Sequence, residues 1–144
     1  MWILKRLAEL AVSTEDLLMT YQSRVRIHLE LNVPLWHFSI SKKLSSYIEK
    51  VQKSCVFIIL GKLATPNYYC NLDRLNLELL SDRREKLCIK FAKKTLKHPV
   101  HGKMFKLNEG RQTRGGRKVI VPVSKTVRYA RSSIPSLSRI INSN

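Results

Sequence analysis

Residues 41–61 read SKKLSSYIEKVQKSCVFIILG and carry the strongest structural signal in the chain. Ser41 is a suitable helix start, and Gly61 is a suitable helix end. Between them, apolar side chains recur at alternating four- and three-residue steps, which is the period of one helical face: Leu44, Ile48, Val51, Cys55 and Ile58. The stretch therefore predicts a long amphipathic α-helix.

Two further long helices are predicted on either side of this one. The first begins at Ser13, where Asp16 completes a capping-box pattern, and it ends no later than Pro34. The other begins after Ser81 and is closed by His98-Pro99. The predicted fold is all-α, a small bundle of about three long helices across residues 13–98, preceded by a short helix.

The C-terminal part of the chain has a different composition. From Gly102 onward it contains four of the five glycines and much of the Arg and Lys content. Only residues 119–123 suggest an extended apolar stretch, and residues 134–141 a short helix. We therefore expect two domains, a helical one at residues 1–98 and a basic, mostly irregular and flexible tail at residues 99–144.

Positive charge is concentrated in the second half of the sequence. The net charge is +17, of which residues 1–80 carry +3 and residues 81–144 carry +14. Charge of one sign in one half is typical of proteins that bind a polyanion. The expected partners are RNA, DNA or an RNA–DNA hybrid, and an anionic membrane surface is the rival partner.

Two groups of cations are the candidate phosphate contacts. The first recurs at three- and four-residue steps and so lies on one side of the third helix: Lys86, Lys90, Lys93, Lys94 and Lys97. The second is in the tail, interleaved with Tyr129, where guanidinium groups can bind phosphate through two hydrogen bonds: Arg111, Arg114, Arg117, Lys118, Lys125, Arg128 and Arg131. A solvated charged face, and a disordered or nuclear-import tail, are the alternatives.

Motifs for catalysis or metal binding are not found. The sequence has no Asp-Asp pair, no Gly-x-Ser-x-Gly and no Cys-x-x-Cys, and its candidate zinc ligands are widely spaced: Cys55, Cys70, Cys88, His98 and His101. We expect no catalytic residues, no metal and no cofactor. The N-terminus has no long apolar stretch or small-residue cleavage site, so no secretory signal is expected, and the longest apolar run is too short to span a bilayer. An intracellular location, nuclear or cytoplasmic, is therefore expected.

Three blocks of sequence resemble the C-terminal region of reverse transcriptases from non-LTR, jockey-like retrotransposons. The first block runs from PLWHF at residues 34–38 through YIEKVQK at 47–53 to IILG at 58–61. The second is SDRREKLCIKFAKK at 81–94. The third is similar to the ends of such polyproteins and includes TVRY at 126–129, Ile134-Pro135, Leu137, Arg139 and Asn142.

The resemblance implies a thumb or post-thumb segment without the catalytic palm. Such a fragment would not be an enzyme alone, although its parent is an RNA-directed DNA polymerase. It would grip template and primer by sequence-independent contacts.

This chain departs from the family pattern at three positions. Leu31 replaces an aromatic residue, and Ser54 and Phe57 replace arginines. The second change leaves residues 55–60 apolar all round. Two alternatives follow: a stand-alone helical module that docks a helical protein partner through Cys55–Leu60, or a retrotransposon relic without function.

Overall fold

The computed structural model describes residues 1–108 and 118–143. Within these ranges the chain forms helices and no β-strand, with one isolated antiparallel bridge between Leu107 and Val119. Its contacts divide into two compact units. Unit 1 comprises residues 1–31 and 41–83, and unit 2 comprises residues 32–40 and 84–144.

Unit 1 is built from the N-terminal helices and the long central helix. These are α1 (Trp2–Glu9), α2 (Thr14–Thr20), a π-helical segment (Tyr21–Arg26), α3 (Ile27–Glu30), α5 (Lys42–Leu60), a 3₁₀ turn (Gly61–Leu63), α6 (Tyr68–Arg74) and the first turn of α7 (Leu80–Lys97). Helix α1 packs against α2 and α5, and α6 packs against α5.

The helix ends in unit 1 follow the capping residues in the sequence. The Ser13 hydroxyl accepts a hydrogen bond from the Asp16 amide at 3.2 Å, and Ser41 accepts one from the Leu44 amide at the same distance. Gly61 ends α5 with φ of +50°, a left-handed value that glycine adopts without strain. The predicted starts at Ser13 and Ser41 and the stop at Gly61 are confirmed.

The helix that starts at Ser13 is not regular throughout. Between α2 and α3, residues Tyr21–Arg26 adopt π-helical geometry, in which each turn holds an extra residue. The helix continues through α3 and ends at Leu31, whose extended ψ of 127° breaks the turn. The sequence period does not reveal this insertion.

The core of unit 1 contains a buried polar chain among apolar side chains. Its apolar part includes Leu4, Leu17, Val56 and Ile59. Tyr21 is fully buried, and its hydroxyl donates to Gln52 Oε1 at 2.7 Å, while Gln52 Nε2 donates to the Glu78 carbonyl oxygen at 2.9 Å. Burial raises the pKa of Tyr21, so its hydroxyl stays protonated and can donate.

Unit 2 combines the loop after α3, the rest of α7 and the C-terminal segment. Its elements are α4 (Val33–Trp36), α7 from Arg84, a 3₁₀ turn (His101–Met104), α8 (Val127–Ala130) and α9 (Ser133–Ser143). Gly102 follows α7 closely, since its amide donates to the His98 carbonyl at 2.8 Å and a Cβ there would lie 2.8 Å from the Leu96 carbonyl oxygen. A larger residue would push the chain away from the end of α7.

The core of unit 2 joins segments that are far apart in sequence. It contains Val33, Cys88, Ala92, Phe105, Val119, Leu137 and Ile141. The side chain of Asn142 holds Val119 at both backbone groups, accepting from its amide at 3.0 Å and donating to its carbonyl at 2.8 Å. The Ser133 hydroxyl donates to the Leu35 carbonyl at 2.8 Å. These contacts tie α9 to the bridge and to α4.

The structure confirms the all-α class but not the expected arrangement of helices. Only α5 and α7 are long α-helices in the described ranges. The prediction of about three long helices is therefore wrong. The helix from Ser13 is divided, and short helices occupy several connections. In the tail, α9 confirms the short helix expected at residues 134–141, and its contribution to a core was not expected.

One residue of the apolar face predicted for the helix at 41–61 is exposed. Leu44 exposes 53% of its surface. The two units do not coincide with the expected domains at residues 1–98 and 99–144. The division into a helical domain and a basic, largely flexible tail stays a prediction.

Candidate nucleic-acid interface

One face of α7 carries the lysines that the sequence identified. Lys86, Lys90, Lys93 and Lys97 fall within about 60° of one another around the axis, with Lys94 about 40° further, because successive residues turn by about 100°. All five side chains are exposed. The opposite side of the helix is buried, at Arg84, Cys88, Ala92 and Thr95. Packing of that side therefore fixes the direction of the lysine face.

The lysine face has little acidic charge near it. Among residues 1–108 and 118–143, no carboxylate lies within salt-bridge distance of Lys90, Lys93, Lys94 or Lys97. Unit 2 as a whole contains sixteen Lys and Arg against two Asp and Glu, a formal charge of +14. A surface of this kind attracts anions over several ångströms beyond contact. Because the described carboxylates do not pair with these four lysines, salt is the main source of screening for their field.

Arg128 and Arg131 lie together at a second place in unit 2. They line a cleft of about 560 Å³ with Ser39, Val127 and Ser132. Both arginines are exposed. The backbone beneath them is held, since the Arg131 carbonyl oxygen accepts from the Ser39 hydroxyl at 3.3 Å and its amide donates to the Val127 carbonyl. The cleft thus presents two guanidinium groups on a fixed backbone.

The other predicted cations are distributed as follows. Lys118 is exposed and adjoins the bridge at Val119. Lys125 is exposed just before α8. Arg111, Arg114 and Arg117 lie outside the described residues. Lys103 and Lys106 are also exposed in unit 2 but were not predicted as phosphate contacts. Their position between two basic runs could have identified them.

A basic residue in this part of the sequence is not always a surface residue. Arg84 is fully buried, and its guanidinium lies 5.7 Å from the centroid of the Trp36 ring. Trp36 and Phe38 pack against the core of unit 2. The pKa of His37 is lowered by burial and by Arg84, so this histidine adds no charge near neutral pH.

The candidate zinc ligands form no metal site in the part of the chain that is described. No group of three or more His, Cys, Asp or Glu residues there could hold a metal ion. Instead, His98 Nδ1 accepts from the amides of Val100 and His101 at 3.2 Å each, which caps the chain reversal after α7. Burial raises the pKa of the Cys88 thiol to about 11 and also raises that of Cys55.

The segment Cys55–Leu60 is not available as a docking surface. Cys55, Val56, Ile59 and Leu60 are buried in the core of unit 1, and Phe57 and Ile58 are half-buried. The expected helical partner at this segment is therefore not supported. The buried apolar residues of this segment are covered within unit 1, because they share a core cluster with Leu4 of α1, Leu17 of α2 and Leu72 of α6.

Comparison with known proteins leaves the family open. No family model, curated protein or solved structure matches this chain. No helix in residues 1–108 and 118–143 has the length and apolar character that a membrane span requires.

Proposed function

We propose that this chain binds nucleic acid through sequence-independent contacts between unit 2 and the phosphate backbone. The observation that supports this most directly is the row of five exposed lysines on one face of α7. The row extends over about 16 Å, from Lys86 to Lys97, at a helical rise of about 1.5 Å per residue. It is long enough to meet several successive phosphates of one strand.

The chemistry of the row favours backbone contacts over base reading. Lysine is a point charge on a flexible stem, so it neutralises phosphate without demanding a fixed geometry. Sequence is read by side chains fixed against base edges, such as Asn or Gln on adenine and Arg or Lys on guanine, and flexible lysines exposed on a helix face are not fixed in this way. The exposed face of α7 presents ammonium groups, and a repeated charge selects for the polyanion and not for its sequence.

We further propose that the chain is the C-terminal, non-catalytic part of a retrotransposon reverse transcriptase. Support comes from the three sequence blocks in order and from the charge distribution. In this reading unit 2 grips template and primer while chemistry takes place on another part of the parent polymerase. RNA, DNA and hybrid duplexes are all substrates for such a grip.

The test is a salt titration of binding by the full chain. With five phosphate contacts on duplex DNA, the dissociation constant should rise roughly 500-fold between about 50 and 200 mM salt. Fluorescence anisotropy with labelled DNA, RNA and hybrid duplexes of unrelated sequence measures this directly. Equal affinities across sequences are expected. An affinity that does not change with salt, or no binding to any of them, contradicts the proposal.

A pair of triple variants assigns the binding to α7. Lys90→Gln, Lys93→Gln and Lys97→Gln together should lower the salt slope by about 2.7 for duplex DNA. The matched control is Lys42→Gln, Lys43→Gln and Lys62→Gln, which removes three equally exposed charges from unit 1. Equal losses in both variants would indicate attraction by net charge alone and would contradict a role for the α7 face.

Burial argues against one of the two alternatives. A stand-alone module that docks a partner through Cys55–Leu60 is disfavoured, because that segment is largely buried. A relic without function is the outcome that the titration would support if no polyanion bound.

A further inference from the structure

Unit 2 contains an apolar groove that the lysine row does not use. The groove has a volume of about 450 Å³, within the range of small-ligand pockets. Its lining includes Met104, Lys106, Ile120, Pro122, Val123 and Tyr129. Val123 exposes 91% of its surface and Tyr129 exposes 44%. A ligand that fits this groove would have a flat apolar face for the apolar lining and negative charge for the basic unit around it.

Tyr129 is held in place by its backbone. Its amide donates to the Thr126 hydroxyl at 3.2 Å, and its carbonyl oxygen accepts from the Ser132 hydroxyl at 2.7 Å. These bonds fix the residue on α8 without involving the ring. The ring is therefore presented at the groove on a rigid support, as a stacking residue must be.

Another part of the groove lining carries backbone hydrogen-bonding groups. Residues 121–123 are not helical, and within the described ranges the amides of Val121 and Val123 have no hydrogen-bond acceptor. Backbone groups of this kind can meet the polar edge of a nucleobase. The groove thus combines an aromatic face with free donors, which suits a planar heterocycle better than an aliphatic chain.

Positive charge around the groove indicates which kind of molecule the planar heterocycle would belong to. Lys106 lines it, and Arg128 precedes Tyr129 in the chain and lines the neighbouring cleft with Arg131. In a nucleic-acid strand, phosphates flank each base on both sides. A duplex hides its base faces in the stack, whereas a single strand can turn a base outward.

We infer that unit 2 takes single-stranded nucleic acid, with one unstacked base in this groove against Tyr129 and adjoining phosphates on Lys106 and Arg128. The inference rests on the proposed function, because it assigns a substrate form to the same basic unit. It adds a base-dependent contact that the phosphate contacts of α7 do not supply.

The test compares strands that differ only in their bases. The full chain is titrated with a labelled oligothymidylate of roughly 12 nucleotides, a length within single-strand site sizes. A second strand has the same number of phosphates but abasic sugars throughout. The base-bearing strand should bind about tenfold more tightly, in the range of one stacked base.

Variants of the tyrosine then locate the contact. Tyr129→Ala should remove the tenfold preference and leave binding to the abasic strand unchanged, whereas Tyr129→Phe should retain the preference because the ring remains. The matched control is Tyr47→Ala on α5, a tyrosine of similar exposure in unit 1. Circular dichroism verifies that each variant is folded.

The outcomes separate this inference from the proposed function. Equal affinity of the wild-type chain for base-bearing and abasic strands overturns the groove assignment while leaving phosphate binding intact. Equal affinity is also the outcome expected if the groove binds a peptide instead of a base. A preference that survives Tyr129→Ala also overturns it. Failure to bind either strand or any duplex overturns both.

Discussion

The two units of this chain use charge in opposite ways. Unit 1 has eleven Lys and Arg against eight Asp and Glu, and several of these are engaged within the unit. Arg83 pairs with Glu30, and Glu49 accepts from the Tyr68 hydroxyl at 2.9 Å. Unit 2 has sixteen against two, and its lysines point to solvent. Unit 1 therefore nearly balances its charges, whereas unit 2 carries an excess of exposed cations.

The difference does not lie in how well each core is closed. Both units have fully buried side chains, among them Cys55 in unit 1 and Cys88 in unit 2. Charge excess in unit 2 is thus compatible with a packed interior. The difference between the units therefore concerns binding and not stability. Each of these two properties can be tested separately.

The largest expected effect concerns the cysteines and tests whether both cores are closed. Cys70 is exposed, whereas Cys55 and Cys88 are buried. A pKa of about 11 for Cys88 lowers its thiolate fraction near pH 8 by roughly a hundredfold relative to an ordinary thiol, and burial slows attack further. Timed labelling with a thiol reagent should modify Cys70 first. Fast labelling of Cys88 alone would show that the core of unit 2 opens.

The second prediction tests the internal use of polar groups in unit 1. Tyr21→Phe removes the hydroxyl that donates to Gln52 and leaves a buried amide oxygen unpaired. The free energy of unfolding should fall by about 1–3 kcal/mol in urea titration. Tyr69→Phe is the control, because Tyr69 exposes 64% of its surface. A similar small effect of both changes would contradict a structural role for the polar chain.

The smallest expected effect concerns self-repulsion in unit 2. Raising the salt concentration to about 0.5 M should screen its like charges and stabilise α7, by less than about 1 kcal/mol. Amide hydrogen exchange measures both units in one sample. Protection of amides in α7 should increase more than protection in α5. Equal changes in both helices would mean that the charge difference has no energetic consequence for the fold.

Local features of the fold could be predicted from the sequence. Ser13, Ser41 and Gly61 mark helix ends because capping is decided by a few neighbouring residues, and all three act as expected. The exposed side of α7 was also predictable, since lysines at three- and four-residue steps share a face. Features that depend only on neighbours along the chain are readable from it.

Features set by distant contacts were not predictable. Arg84 lies in a basic run, yet Trp36 lies beside it in unit 2 and both are part of its interior packing. The hold of Asn142 on Val119 joins residues 23 positions apart, so the order of the C-terminal segment does not follow from its composition. The groove at Tyr129 likewise needs residues from four segments. The spacing of apolar residues predicts which side chains share a helix face, but it does not predict which other segments pack against that face.

The π-helical segment at Tyr21–Arg26 has an evolutionary consequence. One extra residue in a helical turn is what a single-codon insertion into an α-helix leaves behind. Deleting one residue there would restore α geometry and leave the following residues on nearly the same faces, because the wider π turn absorbs the extra residue. Glu30 would then still face Arg83, its partner in unit 1. The ion pair is therefore expected to persist among related sequences whether or not the extra residue is present.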